Sequence, residues 1–140
     1  MKFINVNQKE ALFNLRILYP LWIVFGVFGL VYIPDLVFVQ GDVSATANAV
    51  VANASLFKLG IISNFFVQFF QIAAALYLFM LFKKVDFKAA VLIPILGILG
   101  VPLSLVGEVL SYGALKAFEI SNNQLGYLFL EMSYFSIQVA

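Results

Sequence analysis

The chain contains no cysteine and no histidine. These absences remove disulfides, thiolate nucleophiles, iron–sulfur clusters, haem held by His or Cys, and conventional zinc sites. A Ser-His-Asp or Cys-His triad cannot be built either, since its base is missing. Charge is almost as scarce. Only 11% of the 140 residues are charged, and the net charge is +1. A strongly basic surface for nucleic acid is therefore excluded. There is also no Gly-rich phosphate loop, no recognisable catalytic carboxylate pair, and no mid-span lysine for a Schiff base. No residue set calls for a cofactor or metal.

What remains is apolar. Hydrophobic residues make up 64% of the chain, and the mean hydropathy is +1.04. A soluble domain of this size needs far more polar surface, so the composition describes an integral membrane protein in contact with lipid. The pattern predicts an all-α, polytopic transmembrane helical bundle forming one domain over residues 1–140. Spans are expected at about 17–39, 56–82, 89–112 and 125–140. The first has 23 positions, about 34 Å as a helix, against a hydrocarbon core of about 30 Å. The fourth would reach only about 24 Å, so it reads as incomplete.

Lysine and arginine set the expected orientation. Lys2, Lys9 and Arg16 precede the first span, and Lys83, Lys84 and Lys88 separate the second from the third. Only Lys58 and Lys116 lie on the other side. The imbalance places the N-terminus in the cytoplasm. Ahead of the first span, Asn7 and Glu10 have capping-box spacing. They predict a short interfacial helix from about residue 8, bending into the span near Pro20.

One polar interval interrupts the apolar runs: "QGDVSATANAVVANASLFKLG", residues 40–60. Gly41 permits a sharp exit from the first span, and Asp42 can cap a new helix. Val43, Ala47, Val50 and Ala54 follow at helical spacing, so a short external helix is expected at about 43–55. Ala45-Thr46-Ala47 looks like a signal-peptide cleavage site, but the preceding apolar run is about twice the usual signal core. Asn53-Ala54-Ser55 is formally a glycosylation sequon, a three-residue match of little weight.

The order "GDVSATANAVVANASLFKLGIISN", then "ALYLFMLFKKVDFKAAVL" and "LGYLFLEMSYFSIQ", resembles the family called domain of unknown function 4386. The similarity covers most of residues 10–140 and includes a Gly-Asp-x-x-Ala-Thr-Ala stretch in the first outer loop. The resemblance implies a bacterial polytopic protein of the inner (cytoplasmic) membrane. It implies further spans with an Ile-Pro-Arg segment, which this sequence lacks. It carries no assigned activity and transfers no functional residues.

Three constellations lie inside the spans. Gly60, Asn64, Gln68, Gln71 and Ala75 form one face of the second span. Its amides serve either interhelical hydrogen bonding or a polar pocket. Gly97, Gly100, Ser104, Gly107 and Ser111 make a small-residue stripe on the third span, a seam for close helix packing. Pro102 is expected to kink that helix. Asp35, Glu108 and Glu131 fall in the outer third of the membrane on this topology. Clustered, they could bind a cation or basic ligand, or relay protons. Alternatively, Asp35 sits at the interface and Glu108 pairs with Lys58. Glu131 shares a helix face with Tyr127, Tyr134 and Gln138 and should turn inward, where a protonated carboxyl could bond Gln68 or an outer-loop carbonyl.

Three functions compete. The first is a non-enzymatic bundle, or a subunit that associates with itself or with other membrane proteins. The second is a small-solute or ion/proton transporter that uses Asn64, Gln68, Gln71, Glu108 and Glu131. The third, a membrane enzyme acting on lipid, has only carboxylates and amides to work with.

Overall fold

The computed structural model describes residues 7–139, without the side chains of Gln138 and Val139. Lys2 and the Gln138 side chain, both used above, lie outside the described residues. Five helices account for the architecture, with no strand among the described residues. They are α1 (Gln8–Val37), α2 (Val43–Ala52), α3 (Ala54–Phe82), α4 (Phe87–Glu119) and α5 (Asn123–Val139). The all-α bundle expected from the sequence is the observed fold. Of the five, α1, α3 and α4 are long and apolar enough to cross a membrane.

The chain begins α1 at the Asn7–Glu10 pair, where the Asn7 N–H donates to Glu10 Oε2 at 3.4 Å. The helix then runs through Pro20 without interruption. Pro20 removes one N–H, and the bonds on either side hold the turn. Likewise α4 passes through Pro94 and Pro102 as one helix. The polar interval folds as a turn and a separate helix. Gly41 has φ +80°, a conformation glycine adopts without steric cost. Asp42 Oδ1 accepts the Ala45 N–H at 2.8 Å and caps α2. The helix ends at Ala52, and Asn53 bends the chain into α3.

Each long helix packs on the next: α1 on α3, α3 on α4, and α4 on α5. At one end α2 lies against α3, α4 and α5 and against the end of α1. The larger core forms there, from Ile33, Val37, Val50, Phe57, Leu115, Phe118 and Leu130. Thr46 fastens α2 to the chain it caps, accepting from the Val39 N–H at 3.0 Å and donating to the Val39 carbonyl at 3.1 Å. A smaller core joins α1 and α3 at the opposite end through Leu15, Leu18 and Ala74. Outside these cores the helices expose large apolar side chains, among them Phe13, Val24, Phe69, Leu99 and Val109. Water would not tolerate that much apolar surface, whereas lipid matches it. The chain is a membrane protein.

Candidate functional site

The site begins with a fault in α1. Between Val27 and Tyr32 the helix widens, and the Ile33 N–H donates to the Phe28 carbonyl, five residues back. The next bond in that register would run from residue 34 to Gly29. Residue 34 is proline and has no N–H, so the Gly29 carbonyl is left without it. A donor from α3 takes its place: Asn64 Nδ2 reaches the Gly29 carbonyl at 3.5 Å. One residue earlier on α3, Ser63 Oγ donates to the Phe25 carbonyl at 2.9 Å. Widened turns of this kind occur frequently at functional sites.

Glycines allow the two helices to approach this closely. A Cβ on Gly29 would collide with Asn64 Oδ1 and come within 3.2 Å of the Gly60 carbonyl. A Cβ on Gly60 would stand 2.9 Å from Ile33 Cγ1.

Beside this contact is a cavity of about 500 Å³, within the range of about 300–1,000 Å³ usual for small-molecule sites. Its walls come from α1, the following turn, α3, α4 and α5. Asp35, Asn64, Glu108, Ser111, Glu131 and Tyr134 are among its polar lining. Phe38 and Phe57 supply aromatic surface. Tyr134 is set edge-on to Phe38, with ring centroids 5.1 Å apart. Glu108 is 1% exposed and lies beside the Asn64 side chain, yet neither carboxyl oxygen makes a hydrogen bond of good geometry among the described residues. Asn64 Oδ1 and the Tyr134 hydroxyl are orphaned in the same way. Four polar atoms around one cavity therefore lack a well-formed hydrogen bond, where buried polar groups are normally satisfied.

The structure divides the residues singled out by the sequence. Asn64, Glu108 and Glu131 share the cavity with Asp35. Glu131, expected to turn inward toward Gln68, is instead exposed and stands at its edge. Gln68 is buried with its Oε1 unpartnered, but does not line the cavity. Gln71 is committed elsewhere, donating to the Gly97 carbonyl at 2.7 Å.

The small-residue stripe of α4 serves two neighbours. A Cβ on Gly97 would meet Ala75 Cβ of α3 at 3.2 Å, whereas one on Gly107 would meet Ile137 and the Ser133 carbonyl of α5 at 3.0 and 3.1 Å. Ser111 hydrogen-bonds Ser133 at 2.5 Å, Ser104 is buried, and Gly100 is half-buried.

The suggested Lys58–Glu108 pair does not form. Lys58 stands 3.9 Å from Glu119, which also holds Lys116 at 2.7 Å. Glu119 is accessible near the end of α4, so the pair forms without dragging a lysine into the interior.

The sequence reading missed Ser63 and the aromatic walls Phe38 and Phe57, and also Gly29 and its partner Pro34. The signal for Gly29 and Pro34 was present as a glycine five residues ahead of a proline.

Residues 17–135 match the family described as domain of unknown function (DUF4386). The chain belongs to that family. No curated protein and no solved structure matches it. The chemistry of this DUF4386 protein must therefore be read from its own side chains. Among the described residues no group of three or more acids is close enough to hold a metal ion. The unpartnered atoms around the cavity are mainly acceptors, so what the site lacks is a donor.

Proposed function

We propose that this DUF4386 protein is a non-enzymatic, multi-pass protein of the cytoplasmic membrane that takes a small solute into the cavity beside Glu108. Its N-terminus is cytoplasmic, so the cavity opens toward the outer face. The observation that carries this reading is Glu108 itself, buried in the bundle beside the Asn64 side chain with no cation paired to it among the described residues. A bundle with a purely structural role gains little from a buried carboxyl whose neighbour is a single amide, because removing it from water is costly. Carboxylates inside a membrane domain mark pathways and ligand sites.

A second reading is a subunit whose α5 face is covered by another copy or another membrane protein. The exposed Glu131 at the cavity edge favours it, since a neighbouring chain could cover that carboxyl.

Glu131→Gln separates the two, because it keeps the shape and removes the charge. Protein purified in lipid nanodiscs should release a small molecule on denaturation, and Glu131→Gln should cut that amount about tenfold with an unchanged melting temperature. A parent protein that releases nothing, and that no compound in a solute panel stabilises, refutes solute binding. A homodimer or larger assembly that dissociates with Glu131→Gln supports the subunit reading instead.

A further inference from the structure

Resting on the solute-binding reading, we propose that the solute is an organic monocation: a protonated primary amine attached to an apolar body. The first argument is charge. Asp35, Glu108 and Glu131 line the cavity, and among the described residues neither lysine nor arginine does. The two cations nearest this end of the bundle in sequence, Lys58 and Lys116, are both held by Glu119. The cavity therefore keeps three acidic groups uncompensated by its own walls.

The second argument is hydrogen bonding. An ammonium group offers three donors and no acceptor. The lining residues carry the complement in Glu108 Oε1, Glu108 Oε2 and Asn64 Oδ1, atoms sealed in the cavity wall that side-chain rotation would turn toward the solute, with the Tyr134 hydroxyl able to accept as well. An anion would face three carboxyls, and a neutral ether or ketone would bring acceptors to acceptors.

The third argument is shape. Phe38, Phe57 and Tyr134 give the cavity aromatic walls. Ring faces attract an organic cation and also accommodate its apolar body. A bare metal ion would need several oxygen ligands in one shell. The described acids do not gather into such a group.

The full chain in zwitterionic-lipid nanodiscs, titrated calorimetrically near neutral pH against empty nanodiscs, tests the proposal without identifying the natural solute. Benzylamine and benzyl alcohol serve as probes of the same shape, charged and neutral. Magnesium chloride serves as the inorganic cation. Benzylamine should bind about tenfold or more tightly than the alcohol, and magnesium should give no saturable heat. Glu108→Gln should bring benzylamine down to the level of the alcohol. Tyr134→Phe, which removes one acceptor and keeps the ring, should weaken it several-fold.

Equal binding of the two probes, or benzylamine binding unaffected by Glu108→Gln, would overturn the cation assignment while solute binding stands. Magnesium binding that depends on Glu108 would overturn it in favour of an inorganic ion. Binding of neither organic probe would also overturn it, and the retained-solute measurement would then decide the broader reading separately.

Discussion

Gly26 and Gly29 lie one turn apart on α1, and only one of them has room for a methyl group. A Cβ on Gly29 would collide with Asn64 Oδ1, whereas one on Gly26 meets no heavy atom within 4 Å. Gly29→Ala should therefore push α1 off α3 and destabilise the protein by about 1–3 kcal/mol. Gly26→Ala should be neutral, or stabilising by about 0.5–1 kcal/mol, since glycine weakens a helix interior. Melting of the two variants in detergent checks the contrast, and equal shifts would remove the close approach from the site. At this scale the sequence was a partial guide. It named Asn64, Glu108 and Glu131 because polar groups in apolar runs stand out. It offered Lys58 to Glu108, since sequence gives approximate depth but not which side chains meet. Glu119 takes Lys58 because an accessible carboxylate costs less to pair than a buried one.

The elements were legible wherever a local rule decides them. Glycine at 41 and aspartate at 42 produce the turn and the cap of α2 because positive φ and an N-cap acceptor are properties of single residues. The widened turn in α1 was not legible. It depends jointly on the N–H that Pro34 lacks and on a donor supplied by α3. The stripe on α4 falls between these cases. Its spacing is visible in sequence, but its division between α3 and α5 is set by the crossing of three helices.

The α5 half of that stripe should be the more sensitive to bulk. Gly107→Leu would drive a side chain into Ile137 and the Ser133 carbonyl, and a backbone carbonyl cannot rotate away. A loss of about 1–3 kcal/mol is expected, whereas Leu99→Ile on the exposed face should be nearly silent. An unchanged melting temperature for Gly107→Leu would show that α4 and α5 do not meet there. The Ser111–Ser133 bond should couple by about 0.6 kcal/mol in a double-mutant cycle with alanines, the usual scale for interhelical bonds in membranes.

For the whole molecule, which end faces which side decides how a solute would enter. Asn48 on α2 and Lys84 in the turn after α3 are both exposed. They lie at opposite ends of α3, a helix of 29 residues, or about 43 Å. That exceeds a hydrocarbon core of about 30 Å, so the two positions can lie on opposite sides. The distribution of lysine and arginine predicts the turn after α3 in the cytoplasm and α2 outside. The absence of native cysteine makes this simple to test. Asn48→Cys should react with a membrane-impermeant maleimide on intact cells, and Lys84→Cys only after permeabilisation. The reverse pattern would turn the cavity toward the cytoplasm and make its solute an internal one. Labelling of both positions from outside would remove α3 as a membrane-crossing helix, and the outward-opening cavity with it.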